Sequence, residues 1–233
     1  KGEVSVITGS SGSGKTTFLS QCLLTMMRRT NVIVASMEMR VVIQIAKMMA
    51  QKGISKPTDD DIDYFCNSYK DKLWLFDPQG VTTEKDINAI CHYGKNILNT
   101  KVVVVDSLMK IDNISEDDYE AQKRFINKLS VLARDLEIHI FLVAHTRKLN
   151  DDNVIPDATH ILGSSHIRNL ADNIICLHRR KDIERQIDMG EISPNENPNT
   201  AYLMIQKQRN HAFEGSFNLW FDKPTQTFKD HRN

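Results

Sequence analysis

Short runs of apolar residues alternate along this chain with longer segments whose apolar residues recur at helical spacing. The runs are continuous rather than alternating, which is typical of strands buried on both faces of a sheet. The predicted strands are residues 4–8, 32–37, 73–76, 101–106, 138–144 and 173–177. The predicted helices are residues 15–29, 40–51, 59–68, 84–98 and 116–136. This order of elements predicts an α/β fold with a mostly parallel sheet flanked by helices.

The C-terminal part of the pattern is less regular. Residues 180–199 are polar and contain two prolines, which predicts a loop. Two antiparallel edge strands, 201–206 and 216–221, are predicted after it, and residues 225–229 predict a third. No repeat, low-complexity tract or linker divides the sequence, so we expect one domain over residues 1–233.

Composition changes this picture little. Of the 233 residues, 40% are hydrophobic and 26% are charged, and the net charge is zero, so any basic surface for nucleic acid must be local. The four cysteines form no C-x-x-C pair, and no apolar run reaches the roughly 20 residues of a membrane span, so we expect a soluble protein in a reducing, intracellular compartment. The chain enters its first strand directly after Lys1-Gly2-Glu3 without an initiator Met, which favours the C-terminal part of a longer protein.

A glycine-rich motif that carries chemistry follows the first predicted strand and opens the first predicted helix. Its sequence is Gly9-Ser10-Ser11-Gly12-Ser13-Gly14-Lys15-Thr16, followed by Thr17. In this context backbone N–H groups and the helix N-terminus can cradle phosphates. Lys15 should reach the β- and γ-phosphates, and the Thr16 hydroxyl should ligate Mg²⁺. We therefore predict that residues 9–17, a P-loop, bind a nucleoside triphosphate.

Two carboxylates are candidates to complete this site. Asp106 ends the strand 101–106, which places it beside the P-loop as the Walker B group that holds Mg²⁺ through water. Its alternative role is to cap the following turn. Glu38 lies at the carboxyl end of the second strand. It either polarises the attacking water or is an acid at a helix N-terminus, where the dipole favours it.

Basic residues follow the fifth predicted strand. His145 begins a polar loop, residues 146–161, and is either a sensor of the γ-phosphate or a structural histidine. This basic and flexible region holds the candidates for contact with a nucleic-acid backbone, which are Arg147, Lys148, Ser164, Ser165, His166 and Arg168. From the residues alone a solvated loop is the plainer interpretation, because the net charge is zero and no aromatic residue is interleaved.

Two further cations, Lys207 and Arg209, follow the predicted strand 201–206 at the rim of the sheet. One interpretation makes them edge-strand charges that discourage aggregation. The other makes them a finger that stabilises transition-state charge on a phosphoryl group.

The motifs together, in this order, resemble the helicase domain of DnaB-type hexameric replicative helicases, and especially that of phage primase-helicases and mitochondrial Twinkle. The resemblance rests on Lys1-Gly2-Glu3, the P-loop, Ser36-Met37-Glu38-Met39, Val105-Asp106-Ser107, Ala144-His145-Thr146-Arg147-Lys148, Gly163-Ser164-Ser165, Ala171-Asp172-Asn173 and Lys207-Gln208-Arg209-Asn210. It spans nearly the whole chain.

What the resemblance implies is a RecA-like P-loop core in a homohexameric ring, with ATP or dTTP and Mg²⁺ bound between subunits and single-stranded DNA in the central channel. By position, the resemblance implies that Lys15 binds the phosphates, that Glu38 is the catalytic base and that His145 is the phosphate sensor. Arg209 becomes the finger that acts on the neighbouring subunit, with Lys207 beside it.

The same resemblance assigns the base pocket, the DNA contacts and the partners. Arg179 and Phe221 match the pair that sandwiches the nucleotide base. Residues 147–161 and 163–168 match the loops that grip the DNA backbone in the channel, where six basic loops can attract DNA although each subunit is neutral. Primase and DNA polymerase are implied partners and a membrane is not. The implied location is the cytoplasm of a bacterial or phage-infected cell, with the mitochondrion as the alternative.

We therefore predict a replicative DNA helicase motor that couples NTP hydrolysis to 5′ to 3′ translocation on single-stranded DNA and to duplex unwinding. Two alternatives remain open from the sequence. A RecA-like recombinase filament ATPase would pair homologous DNA and fail to unwind a fork. A KaiC-like regulatory ATPase would hydrolyse ATP without stimulation by single-stranded DNA.

Overall fold

Continuous apolar runs form the central strands, as their lack of alternation predicts. The computed structural model describes residues 1–115, 117–146, 155, 160, 164–193 and 199–230, with residues 164 and 165 described by their backbone alone. The strands are β1 (Glu3–Thr8), β2 (Asn31–Ser36), β3 (Leu73–Phe76), β4 (Thr100–Asp106), β5 (His139–Val143), β6 (Asn173–Arg179), β7 (Ala201–Gln208), β8 (Gly215–Asp222) and β9 (Thr227–Lys229). Every strand predicted before residue 180 is present, with ends shifted by two residues at most.

The strands form one nine-stranded sheet in the order β3-β2-β4-β5-β1-β6-β7-β8-β9. Neighbouring strands from β3 to β6 are parallel. β7, β8 and β9 continue the sheet with antiparallel pairing. The predicted class, an α/β core with antiparallel C-terminal strands, is therefore confirmed. β7 is not the edge strand that the sequence suggests, because β8 and β9 extend the sheet beyond it.

Helices cover both faces of the sheet. They are α1 (Lys15–Met26), α2 (Val41–Gln51), α3 (Asp59–Tyr69), α4 (Glu84–Asn96), α5 (Tyr119–Asp135), α6 (Ser164–Leu170) and α7 (Lys181–Asp188). Threonine side chains begin α3 and α4 with capping boxes, at Thr58 and Thr83. The apolar faces of α1, α2 and α3 share one core layer, and those of α4 and α5 share the other. No helix in the described ranges is long and apolar enough to cross a bilayer.

The prediction of a loop over residues 180–199 is wrong in its first half, where α7 forms. The segment is mostly polar, so a short helix with one buried apolar side chain leaves little periodic signal. That side chain is Ile183, which is 6% exposed. The local charges do favour a helix, because Asp182 and Glu184 lie in its first turn and Arg185 in its last.

Residues 164–168, which the sequence assigns to a flexible region, lie in α6. Ile167 explains the difference, because it is fully buried in the core layer that contains α4 and α5. Two apolar residues among polar neighbours do not reveal so short a helix in the sequence, but Ile167 and Leu170 both pack against this core layer.

The parallel strands give the sheet two chemically distinct ends. β1, β2, β4, β5 and β6 all finish at one end, which we call the carboxyl end of the sheet. The opposite end, where these strands begin, is the amino end. β7 runs antiparallel to β6 and pairs Gln208 with Asn173, the first residue of β6. The residues that follow β7 therefore lie at the amino end.

Candidate nucleotide-binding site

The P-loop joins β1 to α1 at the carboxyl end of the sheet. Gly9 has a φ of 150°, and a Cβ built on it would lie 2.2 Å from the carbonyl oxygen of Leu177 in β6, so only glycine fits this approach. Lys15 opens α1 and is 6% exposed. Its Nζ donates to the carbonyl oxygens of Gly9 at 2.9 Å and Ser10 at 3.0 Å. The loop therefore holds its lysine against its own backbone.

Asp106 ends β4 and contacts the P-loop. Thr16 Oγ1 donates to Asp106 Oδ2 at 2.6 Å, and no hydrogen bond within the described part of the chain joins this carboxylate to the turn that follows. The arrangement favours the Walker B interpretation over the cap. Burial raises the pKa of the Asp106 carboxyl group, while the hydrogen bond from Thr16 lowers it.

The residues present fit a polyphosphate with a divalent cation. Asp106 Oδ1 and Ser13 Oγ are buried and have no hydrogen-bond partner among the described residues. Buried polar atoms in this state require a ligand, an ion or water. A carboxylate beside a threonine hydroxyl is an oxygen donor set of the kind that Mg²⁺ prefers. Thr17, the last residue of the predicted set, is buried in the first turn of α1.

Glu38 and His145 meet beside Lys15. Glu38 Oε1 accepts hydrogen bonds from Ser107 Oγ at 2.6 Å and from His145 Nε2 at 3.1 Å. Lys15 Nζ lies 3.5 Å from His145 Nδ1. This network assigns the ring proton to Nε2 and makes Nδ1 the acceptor. A chain of polar contacts therefore links the P-loop lysine to Glu38, although these residues come from different elements.

Its partners keep Glu38 ionised. The hydrogen bond from His145 and then that from Ser107 lower the pKa of Glu38 to about 2, against the opposing effect of burial. α2 begins at Val41 and has no acid in its first turn, so Glu38 is not the helix N-terminal acid of the alternative interpretation. A carboxylate with so low a pKa readily accepts a hydrogen bond from water but has little tendency to keep the proton.

Arg179 and Phe221, the pair predicted to sandwich the base, contact each other directly and do not form an open sandwich. Arg179 Cζ lies 3.8 Å from the centroid of the Phe221 ring, so the two groups stack on each other and leave no space for a base between them. Glu184 of α7 holds the guanidinium in this position through bonds of 2.8 Å to Nε and 2.5 Å to Nη2. The sandwich requires this contact to open.

Arg209 lies at the amino end of the sheet, away from the P-loop of its own chain. Its Nη1 donates to Asp172 Oδ1 at 2.9 Å, and its Nη2 donates to the carbonyl oxygen of Asn169 at 2.7 Å. The other oxygen of Asp172 accepts from the backbone N–H of Val4 at 2.9 Å. The guanidinium is thus bound to the C-terminal end of α6 and to the residues that join α6 to β6.

Lys207 binds the same segment. It lies inside β7 and not after it, because the strand continues to Gln208. Its Nζ donates to the carbonyl oxygens of Arg168 and Ala171, both at 2.7 Å. A cation at the C-terminal end of a helix satisfies unpaired carbonyls and is favoured by the helix dipole. Lys207 and Arg209 together therefore cap α6.

Only some of the residues predicted to contact DNA lie in the described part of the structure. His166 and Arg168 lie on α6, whose first residues are Ser164 and Ser165. Arg147 and Lys148 lie outside the described residues.

Sequence reasoning missed three residues that support the site. Ser107 and Asp172 stand inside motifs that carry the family resemblance, but no pattern assigns them a partner. Ser107 binds Glu38, and Asp172 binds Arg209. Glu184, which holds Arg179, lies in the segment predicted to be a loop. The i, i+4 spacing of Ile183 and Ile187 is the signal that could have placed it on a helix.

The chain is similar to known proteins over most of its length. A protein-family model described as an AAA domain matches residues 1–151. The chain is 25% identical over 260 residues to the Twinkle homolog protein, chloroplastic/mitochondrial, of Arabidopsis thaliana, which covers 98% of this chain and 34% of that protein. It is 26% identical over 202 residues to the DNA helicase/primase of Enterobacteria phage T3, which covers 77% of this chain and 36% of that protein. It thus spans about a third of the length of these curated relatives.

Solved structures share the fold. A DnaB-like replicative helicase, described with its interactions with primase, superposes with a TM-score of 0.77 at 18% identity and covers 97% of this chain and 57% of that one. A solved ATPase domain superposes with a TM-score of 0.75 at 17% identity and covers 97% of this chain and 84% of that one. The RecA-like core and the resemblance to DnaB-type helicase domains are confirmed by these matches, none of which favours the recombinase or the regulatory ATPase.

Proposed function

Because the chain belongs to the AAA-domain family and has the ATPase core of a DnaB-type helicase, we propose that it is the motor domain of a replicative DNA helicase. Hydrolysis of ATP or dTTP would move the protein 5′ to 3′ along single-stranded DNA and separate the duplex. The observation that carries this proposal is the division of the charged residues between the two ends of the sheet.

That division supports a site completed by a second subunit. Two backbone hydrogen bonds place Arg209 level with the start of β1. The N–H of Arg209 donates to the carbonyl oxygen of Asp172, and the N–H of Asp172 donates to the carbonyl oxygen of Val4. From Val4 to Gly9 the strand advances about 17 Å, at about 3.3 Å per residue. An arginine side chain does not span this distance. Arg209 can therefore serve as a finger only at the P-loop of a neighbour in a ring.

The chemistry follows from the contacts at the carboxyl end. Lys15 would leave its carbonyl partners to hold the β- and γ-phosphate oxygens, while Thr16 and Asp106 would hold Mg²⁺, which neutralises phosphate charge when bound. Glu38 would orient the attacking water by accepting its hydrogen bond, a role that suits its low pKa better than full proton removal. Arg209 of the neighbour would stabilise the charge of the transition state.

His145 would connect hydrolysis to DNA. It contacts both Lys15 and Glu38, so a change at either one alters its partners, and it begins the segment that holds Arg147 and Lys148. Single-stranded DNA would contact this segment and Ser164, Ser165, His166 and Arg168 in the channel of a homohexamer. Primase and DNA polymerase are the proposed further partners, and the cytoplasm of a bacterial or phage-infected cell is the proposed location, with the mitochondrion as the alternative.

The test is hydrolysis by the full-length protein with Mg²⁺ and ATP or dTTP, with and without single-stranded DNA, followed by unwinding of a forked duplex with either a 5′ or a 3′ tail. We expect DNA to stimulate hydrolysis severalfold and only the 5′-tailed fork to be unwound. A rate of hydrolysis that is the same with and without single-stranded DNA would contradict the proposal of a helicase motor. Pairing of homologous strands without unwinding would support the recombinase instead.

A further inference from the structure

Lys181, which belongs to no recognised motif, touches the apex of the P-loop. α7 starts directly after Arg180 at the carboxyl end of the sheet and places Lys181 Nζ 3.3 Å from the carbonyl oxygen of Ser11. Gly12 lies beside this contact, where a Cβ would come within 2.7 Å of the same nitrogen. The ammonium group can therefore approach the loop closely because Gly12 has no side chain.

Lys181 places a second positive charge on a loop that already holds Lys15. Burial is the main reason that the pKa of Lys15 is lowered, and the proximity of Lys181 adds to the lowering. Within the described ranges no carboxylate forms an ion pair with Lys181, and its hydrogen bond goes to a neutral carbonyl. Two like charges repel each other, and an anion that contacts both removes the repulsion. A polyphosphate on the P-loop is such an anion.

The helix that carries Lys181 is held independently of this contact. Ile183 is buried, and Glu184 makes two bonds to Arg179. A lysine has a flexible stem and three donors, so its ammonium can exchange the Ser11 carbonyl for a phosphate oxygen while the helix keeps its place.

From this placement we propose that Lys181 is a second phosphate-binding cation, supplied by the same chain as the P-loop, that contacts the polyphosphate of the bound nucleoside triphosphate. This inference rests on the proposed function, since it requires a nucleotide on the P-loop. It differs from the role of Arg209, because Lys181 needs no neighbouring subunit.

The experiment is an equilibrium titration of the full-length protein with N-methylanthraniloyl-ATP and Mg²⁺, followed by fluorescence. Lys181→Gln should raise Kd about tenfold, the effect of losing one hydrogen bond between charged groups. Lys181→Arg, which keeps the charge, should stay within about threefold of the wild type. Arg185→Gln removes a positive charge from an exposed position of the same helix and should change Kd less than about twofold. Raising the KCl concentration should reduce the ratio of the Kd of Lys181→Gln to that of the wild type, because salt screens the charge of Lys181.

Three results separate the possible failures. Equal Kd values for wild type and Lys181→Gln would overturn this inference while leaving the nucleotide site intact. Equal losses in Lys181→Gln and Lys181→Arg, unaffected by KCl, would mean that the side chain only braces the P-loop and would also overturn it. A wild-type protein that binds no N-methylanthraniloyl-ATP would overturn the proposed function itself.

Discussion

The carboxyl and amino ends of the sheet hold their functional side chains in different ways. At the carboxyl end, Lys15, His145 and Glu38 already touch one another within a single chain. At the amino end, Lys207 and Arg209 are equally well bound, but their partners are the carbonyls of α6 and Asp172. In the proposed function, the carboxyl end is half of a nucleotide site, and the two cations at the amino end would serve the nucleotide site of a neighbour. The difference teaches that the contacts of a single chain hold Lys15 and Arg209 at opposite ends of the sheet.

The largest expected effect is that of replacing Arg209, which should affect hydrolysis but not nucleotide binding. Arg209→Ala leaves the carboxyl end untouched, so its Kd for triphosphate should stay within about threefold of the wild type, while single-turnover hydrolysis should fall about a thousandfold, as expected for loss of an arginine finger. Quenched-flow hydrolysis and nucleotide titration of the full-length protein measure the two effects. Arg124→Ala, an exposed position on α5, is the matched control and should change neither. A large rise in Kd for Arg209→Ala would place the arginine in the same half-site as Lys15.

The pH dependence of stability tests how firmly the carboxyl end is assembled in one chain. The folded-state pKa of Glu38, about 2, lies below its ordinary value of 4.5, so its contacts stabilise the protein fully above about pH 4.5 and are lost as the pH falls through 2. Because the side chain is 31% exposed, we expect Glu38→Gln to lower the free energy of unfolding at pH 7 by only about 1–2 kcal/mol.

Urea unfolding at a series of pH values measures this effect. The difference in the free energy of unfolding between wild type and Glu38→Gln should fall by pH 3 to less than half of its value at pH 7. Glu120→Gln, on the exposed face of α5, serves as the control and should show a small difference at every pH. A Glu38→Gln difference that stays constant with pH would mean that His145 and Ser107 do not hold the carboxylate in solution.

The smallest effect is expected at the amino end. Lys207→Met removes an ammonium that bonds to carbonyls at the end of α6, which should lower the free energy of unfolding by about 1 kcal/mol and speed amide hydrogen exchange in α6. Lys123→Met, at an exposed ion pair on α5, should change stability by less than about 0.5 kcal/mol. Unchanged exchange in α6 would show that Lys207 does not cap this helix.

Local motifs were predictable from the sequence, and contacts between distant segments mostly were not. The P-loop and Asp106 could be located because each is defined by its own strand and the residues that follow it. The contact of Glu38 with His145 depends on β2, β4, β5 and β1 lying side by side, an order that no local pattern states. The strand ends indicated these two residues as candidates and the family resemblance supplied their roles, but neither predicted the contact with Ser107.

The region around α7 shows where sequence reasoning fails. A polar segment with a single buried isoleucine was predicted to be a loop, so the positions of Lys181 and Glu184 were missed. As a result, the direct stacking of Arg179 on Phe221, the pair predicted to sandwich the base, was not anticipated, since Glu184 holds the arginine there. In so short a helix the periodic signal is a single i, i+4 pair, Ile183 and Ile187, which is easily missed among polar residues.

Complementation between two inactive variants tests the central claim, a site shared by two subunits, most directly. Lys15→Ala keeps the finger and loses the P-loop lysine, whereas Arg209→Ala does the reverse. In an equal mixture of the two full-length variants, exchanged into common rings, about a quarter of the interfaces would combine an intact P-loop with an intact finger if subunits mix at random. We predict that each variant alone shows almost no single-turnover hydrolysis and that the mixture regains a clear fraction of the wild-type amplitude. A mixture as inactive as its components, or an Arg209→Ala protein that hydrolyses like the wild type, would contradict the account.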